Sequence, residues 1–134
     1  MTGQPDDNRN PSPKHILLVD DSRYVRAYLK AVLSAEGFQA AELAPAPPEA
    51  LLEAILQVRP DLIITDYEMP ECDGITLIKY LRRDPRTRDL PVLLFSAHLE
   101  ADLAHRLGPL PHCGYLPKPA SPEDLVAAVR AACP

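Results

Sequence analysis

Apolar and polar positions follow two alternating patterns along the chain. Five short apolar runs have the length and composition of buried strands, at residues 15–20, 38–43, 61–65, 91–95 and 114–116. Each run is followed by a segment in which apolar residues recur three or four positions apart, a spacing that predicts an amphipathic helix. Ser22 before the first of these segments, and Ser121 with Pro122 before the last, are typical helix caps. The pattern predicts five strands that alternate with five helices.

This alternation predicts an α/β fold of the (βα)5 type, a doubly wound five-stranded parallel sheet with helices on both faces. The second strand is the least regular of the five, because Ala40 and Ala41 are residues that favour helices. In sheets of this kind, ligands bind at the carboxyl ends of the strands, where the winding reverses direction. The residues that follow each strand are therefore the first candidates for a functional site.

Length, composition and charge narrow the possibilities. The chain has 134 residues, the size of one domain. Residues 1–13 contain three Pro, two Asn and two Asp with almost nothing apolar, which predicts a disordered tail ahead of a folded domain at residues 14–134. Without a long apolar run or a recognisable signal peptide, we expect a cytoplasmic protein that does not contact a membrane. The formal net charge of −5 argues against nucleic-acid binding, which needs a basic face.

Polar side chains, four of them charged, stand at the ends of four predicted strands. They are Asp20 and Asp21 after strand one, Asp66 after strand three, Ser96 after strand four and Lys118 after strand five. Each alone has an ordinary explanation as a helix cap, a turn former or a solvated lysine. Together they predict a shared site at one sheet edge, where repulsion among three carboxylates favours a bound Mg²⁺. A Mg²⁺ and a lysine that face an aspartate suit phosphoryl transfer to that aspartate.

With these residues in place, the sequence resembles the receiver domain of two-component response regulators. The matching motifs are L-L-V-D-D-S at residues 17–22, D-L-I-I-T-D-Y-E-M-P at 61–70, D-G at 73–74, P-V-L-L-F-S-A at 91–97 and G-Y-L-P-K-P at 114–119. The resemblance covers residues from about Lys14 to Cys133, and the combined set is far more specific than any single motif. We accordingly expect a receiver domain over residues 14–134 with the flavodoxin-like strand order 2-1-3-4-5.

The resemblance implies a role for each acidic residue of the site. Asp66 would be the phosphoacceptor. Asp21 would coordinate Mg²⁺ directly, Asp20 would assist through water, and the backbone carbonyl of Glu68 would be a further metal ligand.

The resemblance also implies the parts of a switch. Ser96 would hydrogen-bond the phosphoryl group, and Lys118 would pair with it and precede a cis peptide bond to Pro119. Tyr115 would be the aromatic residue that turns inward when Ser96 is drawn toward the phosphoryl group. The alternative for Tyr115 is an ordinary core or surface aromatic residue.

The predicted function is that of a stand-alone receiver, a phosphorylation-dependent switch with no attached output domain. The phosphoryl group would come from a histidine kinase or a histidine phosphotransfer protein, and the output would be a contact with an unidentified downstream protein. The chain would catalyse only its own phosphorylation and dephosphorylation, so it is not expected to be an enzyme toward an external substrate. Two alternatives stay open, a constitutive pseudo-receiver module and a small Mg²⁺-dependent phosphatase with Glu68 as its second acid. A DNA-binding regulator is disfavoured by the negative charge.

A few residues depart from the family pattern or add to it. Pro109 and Pro111 stand before the fifth strand, where the family usually has a Gly-Ala pair, and should stiffen that connection. Glu68 and His98 flank the expected approach of water to the acceptor, where they either tune the lifetime of the aspartyl phosphate or are simply solvated. Cys72 is predicted to be a packing residue rather than a redox group.

Overall fold

All five predicted strands and all five predicted helices are present. The computed structural model describes residues 13–97 and 100–134, so His98 and the predicted tail, apart from Pro13, lie outside the described residues. The strands are β1 His15–Val19, β2 Gln39–Leu43, β3 Leu62–Thr65, β4 Val92–Ser96 and β5 Cys113–Pro117. The helices are α1 Arg23–Ala35, α2 Pro48–Val58, α3 Gly74–Arg83, α4 Glu100–Leu107 and α5 Pro122–Ala132. Within the described ranges, none of these helices is long and apolar enough to cross a membrane.

The five strands form one parallel sheet in the order β2-β1-β3-β4-β5, which confirms the predicted fold. The chain passes from β1 to β2 on one side and then continues with β3 on the other side of β1, so the winding reverses between β1 and β3. Val19 is the register partner of Thr65 at the carboxyl ends of these two central strands. The residues that follow them, Asp20 and Asp66, therefore leave the sheet side by side.

The core consists of two layers, one on each face of the sheet. Alternating residues of β1 divide between them, since Leu17 and Val19 join one cluster and Ile16 and Leu18 join the other. The first cluster contains buried apolar residues of α2, α3 and α4, and the second contains buried apolar residues of α1 and α5. Helices cover both faces of the sheet, and its carboxyl edge is left open between them.

The serine caps predicted from the sequence are present at the starts of α1 and α5. The Ser22 side chain accepts a hydrogen bond of 3.2 Å from the Val25 amide at the start of α1, and Ser121 accepts one of 3.1 Å from Asp124 at the start of α5. Gly37 follows α1 with φ +89°, a conformation that glycine adopts without strain. These caps fix where each helix begins or ends relative to the neighbouring strand.

Two strands depart in detail from their predicted character. Ala40 and Ala41 lie in β2 despite their helical preference, because Ile16 and Leu17 of β1 are their register partners and the pleat directs them to opposite core layers. β5 is longer than predicted and includes Cys113. Both differences arise from pairing with a neighbouring strand, which local propensity does not describe.

The connection that contains Pro109 and Pro111 is held by an arginine of α3. The Arg82 guanidinium donates hydrogen bonds of 2.9 Å to the carbonyl of Pro111 and 3.0 Å to the carbonyl of His112. The same side chain donates to the Thr87 carbonyl at 3.3 Å. The segment before β5 is therefore tied to α3 and to the loop that follows α3, which is a contact that the sequence did not predict.

Cys72 lies in the core layer beneath α3, as predicted for a packing residue. Burial raises the pKa of its thiol to about 11, and the negative charges of Asp73 and Glu49 add to the rise. A thiol with this pKa is almost entirely protonated at neutral pH, which makes it a poor nucleophile.

Gly74, the first residue of α3, lies against the loop that carries Asp66. Its amide donates a hydrogen bond of 2.8 Å to the Tyr67 carbonyl. A Cβ atom at this position would lie 2.5 Å from the Asp66 carbonyl oxygen and 2.6 Å from a methyl carbon of Leu94. Only a residue without a side chain lets α3 begin so close to the site.

We predict that Gly74→Ala lowers the free energy of unfolding by about 1–3 kcal/mol, because the added methyl group meets backbone that cannot move freely. Urea denaturation of the purified protein measures this change. Gly108→Ala is the matched control, since its Cβ would make ordinary contacts of 3.5 and 3.6 Å with backbone oxygens, and it should change stability by less than about 1 kcal/mol. Equal stability losses in the two variants would contradict the close approach at Gly74.

Candidate functional site

Three carboxylates converge at the carboxyl ends of β1 and β3. One oxygen from each of Asp20, Asp21 and Asp66 lies within 4.8 Å of the others. Asp20 is only 2% exposed, Asp66 is partly buried and Asp21 is exposed to solvent. The structure thus brings together the three acidic side chains that the sequence predicted to share this edge.

Asp20 is held at both of its carboxylate oxygens. Oδ1 accepts a hydrogen bond of 2.9 Å from the Ser22 amide, and Oδ2 accepts one of 3.0 Å from the Lys118 ammonium. A buried carboxylate needs such partners, because water no longer solvates its charge. Ser22 therefore serves two purposes, since its hydroxyl caps α1 while its amide orients Asp20.

Asp66 lies between a backbone donor and the same lysine. Its Oδ1 accepts a hydrogen bond of 2.8 Å from the Tyr67 amide, and its Oδ2 lies 3.5 Å from Lys118 Nζ. Burial raises the pKa of Asp66 above its ordinary value, whereas Lys118 opposes the rise and the charge of Asp20 adds to it. The ammonium group of Lys118 therefore outweighs the repulsion from Asp20 but does not cancel the effect of burial.

Lys118 extends from the end of β5 across the site to β1 and β3. Its amide donates a hydrogen bond of 2.8 Å to the Ser96 carbonyl, and its ammonium lies 5.4 Å from the centroid of the Phe95 ring. The peptide bond to Pro119 is cis, as the resemblance implied. The strand, the ring and the two carboxylates together define the position of the ammonium group.

Ser96 and Tyr115 lie on neighbouring strands beside the lysine. Ser96 is buried at the last position of β4, where it pairs in register with Pro117. The Tyr115 hydroxyl donates a hydrogen bond of 3.4 Å to the Ser96 carbonyl, and its side chain packs against the core layer that includes α4. The two residues predicted to form a switch are in contact, here through the Ser96 backbone.

The donor set fits a hard divalent cation. Every ligand atom that the three aspartates offer is a carboxylate oxygen, the type that Mg²⁺ prefers, and the excess negative charge favours a cation. An open hollow of about 640 Å³ lies beside Asp21, and its lining includes Glu68 and Asp73. Glu68, the predicted backbone ligand, therefore shares this hollow with Asp21.

Two arginine contacts at the site were not predicted. Arg106 of α4 donates a hydrogen bond to the Tyr67 hydroxyl and lies 5.1 Å from the centroid of that ring. Arg26 of α1 donates a hydrogen bond to the backbone carbonyl of Asp20. The position of Arg26 one turn after the Ser22 cap is a sequence signal that it faces the acidic loop, whereas nothing local indicates the partner of Arg106.

Comparison with known proteins points to a single family. A family model described as the response regulator receiver domain matches residues 16–130. The phosphate regulon transcriptional regulatory protein PhoB of Escherichia coli K12 is 36% identical over 121 residues, which cover 88% of this chain and 51% of PhoB. The response regulator MprA of Mycobacterium sp. strain KMS is 39% identical over 121 residues, with 89% and 50% coverage. The chain therefore spans about half the length of these curated relatives.

Two solved structures of response regulators have the same fold as this chain. A putative response regulator from Chloroflexus aurantiacus is 32% identical, with a TM-score of 0.81 and coverage of 90% of this chain and 98% of that one. The chemotaxis response regulator CheY4 of Vibrio cholerae has a TM-score of 0.80 over 90% of this chain and 98% of its own, and its 24% identity supports the fold alone.

We predict that Asp21→Asn raises the free energy of unfolding by about 0.5–1 kcal/mol when a chelator removes divalent ions, because one of three mutually repelling charges is lost. Millimolar Mg²⁺ should then stabilise the original protein more than the variant, since a ligand that binds the native state stabilises it. Thermal or urea denaturation with and without Mg²⁺ measures both effects.

Glu53→Gln, which removes the same charge from an exposed position in the middle of α2, is the control and should change neither quantity appreciably. A loss of stability for Asp21→Asn in the chelator would show that the three charges do not repel one another as their spacing implies.

Proposed function

Since this chain belongs to the response regulator receiver family, we propose that Asp66 accepts a phosphoryl group and that its phosphorylation switches a protein-interaction surface. Receiver domains are signalling modules of two-component systems rather than enzymes for an external substrate, and they interact with histidine kinases or histidine phosphotransfer proteins. The observation that carries the proposal is the convergence of three carboxylates and the Lys118 ammonium where the winding of the sheet reverses.

Asp66 is the proposed nucleophile because it is the partly buried carboxylate between two donors. One of its oxygens attacks the phosphorus atom of a phosphohistidine, the bond from phosphorus to the imidazole nitrogen breaks, and the imidazole leaves. The amide of Tyr67 and the ammonium of Lys118 orient the carboxylate before the reaction. Because Lys118 also binds Asp20, it stays at the site while charge develops on the phosphoryl oxygens.

The acidic residues that surround Asp66 are the proposed ligands of a Mg²⁺ ion. Asp20, Asp21, Asp66 and the backbone carbonyl of Glu68 would hold it. When bound, the ion supplies positive charge to the phosphoryl oxygens. The side chains of Asp20 and Asp21 have no part in bond making, and their contribution is to hold this charge beside the nucleophile.

The switch begins at the groups that would contact the new phosphoryl group. Phosphorylation adds roughly −1.5 to −2 charges and three acceptor oxygens. In the proposal, the Ser96 hydroxyl and the Lys118 ammonium bind these oxygens. Tyr115 already contacts the Ser96 carbonyl, so a movement of Ser96 changes the position that the ring can occupy against the core layer of α4. The surface formed by α4, β5 and α5 would then present the signal to a downstream protein.

The proposed partners are two proteins, one that donates the phosphoryl group and one that receives the signal. We propose a histidine kinase or a histidine phosphotransfer protein as the donor and a protein as the target. The matched relatives are about twice as long as this chain, so the proposal concerns the receiver domain alone.

Incubation with Mg²⁺ and a small acyl phosphate, followed by intact-mass measurement, tests the proposal. We expect the gain of a single phosphoryl group, and no gain in Asp66→Asn or in the presence of a chelator, because both changes remove a component of the site. Asp61→Asn is the matched control, since Asp61 lies at the amino end of β3, whereas Asp66 follows its carboxyl end. Asp61 should not be needed for phosphorylation. Phosphorylation of Asp66→Asn to the original extent would place the acceptor elsewhere.

A further inference from the structure

Arg26 is a largely buried arginine whose contacts lead to the acidic cluster from the side of α1. Its side chain is only 17% exposed. One terminal nitrogen donates a hydrogen bond to the backbone carbonyl of Asp20. The Nε atom donates another, of 2.9 Å, to Oε1 of Glu42 on β2. The guanidinium therefore connects the acidic loop to the strand beside β1.

The carbonyl that Arg26 binds belongs to the peptide unit between Asp20 and Asp21. Rotation of this unit changes the direction of the Asp21 side chain relative to Asp20 and Asp66. The Ser22 and Lys118 donors hold the Asp20 carboxylate, whereas the Arg26 donor holds the carbonyl of the peptide unit that precedes Asp21. A donor fixed to the Asp20 carbonyl is thus a contact that can hold both carboxylates in one arrangement.

Glu42 determines where the guanidinium lies. It occupies the β2 position in register with Leu18, two residues before Asp20. Its second oxygen lies 3.6 Å from the ammonium of Lys30, one turn further along α1. The planar guanidinium can bind a carboxylate and a carbonyl at the same time, which a single-point ammonium does less well. Arg26 is therefore anchored at one end by Glu42 and presents its other end to the loop.

We propose that Arg26 is a positioning residue of the metal site, which holds the peptide unit between Asp20 and Asp21 so that both carboxylates stay directed at the site of Asp66. The inference rests on the proposed function, because it assigns Arg26 a role in forming the Mg²⁺ site of the receiver. Arg26 itself contacts no phosphoryl group and no ion in this role. Residues that orient metal ligands typically change metal affinity by about 10–100-fold when they are replaced.

A loss of charge and a loss of positioning would change the Mg²⁺ affinity in opposite directions, so the affinity of an Arg26 variant distinguishes the two effects. Removal of a positive side chain near a cation site strengthens cation binding if charge is the only effect. Loss of a positioning contact weakens it, because the carboxylates then sample directions in which they do not converge. A weaker affinity in Arg26→Met therefore reports lost positioning and cannot be attributed to lost charge.

The experiment is a Mg²⁺ titration followed by backbone amide NMR shifts, with the original protein, Arg26→Met and Lys30→Met. We expect the dissociation constant to rise about tenfold in Arg26→Met. Lys30→Met is the matched control, because it removes the same charge from the same helix and also contacts Glu42, but has no contact with Asp20. Its dissociation constant should stay the same or fall slightly.

A second measurement separates positioning from a general loss of structure. Phosphorylation by the acyl phosphate should need about tenfold more Mg²⁺ in Arg26→Met and reach the original rate once Mg²⁺ saturates the site. If Arg26→Met does not fold, Arg26→Gln provides the same test, because its side chain is too short to reach both partners.

Three outcomes decide the proposal. A higher Mg²⁺ dissociation constant in Arg26→Met but not in Lys30→Met supports it. An unchanged or lower constant in Arg26→Met overturns it while leaving the receiver function intact. No saturable Mg²⁺ binding in the original protein would overturn the metal site itself, and with it both proposals.

Discussion

Repulsion among three carboxylates is the constraint around which this site is built. Asp20 is almost completely buried and Asp66 is partly buried, so neither carboxylate is fully solvated. Lys118 lies 3.0 Å from one and 3.5 Å from the other, yet burial and the charge of Asp20 still raise the pKa of Asp66. Holding these negative charges together therefore destabilises the fold, and a bound cation with a phosphoryl group would complete the arrangement.

Contacts lead outward from Asp66 to several elements of the fold. The Tyr67 carbonyl accepts from the first amide of α3, and the Tyr67 side chain binds Arg106 of α4. On the other side, the Ser96 carbonyl accepts from Tyr115 and from the amide of Lys118. In the proposed switch, a change of charge at Asp66 would act on groups that already join α3, α4 and β5.

The sequence predicted the fold and the acidic site because both depend on simple geometry. Carboxyl ends of parallel strands meet at one edge, so residues such as Asp20, Asp66 and Lys118 can be placed together from strand ends alone. The strand order came from the family resemblance and was confirmed. The contact of Arg106 was missed because it depends on where a helix packs against the sheet, and helix periodicity does not specify which residue lies opposite a long side chain. The contact of Arg26 did have a local signal, since Arg26 lies one turn after the Ser22 cap.

The most direct test of the central claim is a Mg²⁺ titration that follows the side-chain carboxyl ¹³C signals of the aspartates by NMR. If three carboxylates share one cation site, the signals of Asp20, Asp21 and Asp66 move together with a single dissociation constant. Signals of distant aspartates such as Asp84 should not move at the same concentrations. Independent constants for the three residues, or no movement of Asp66, would contradict the account.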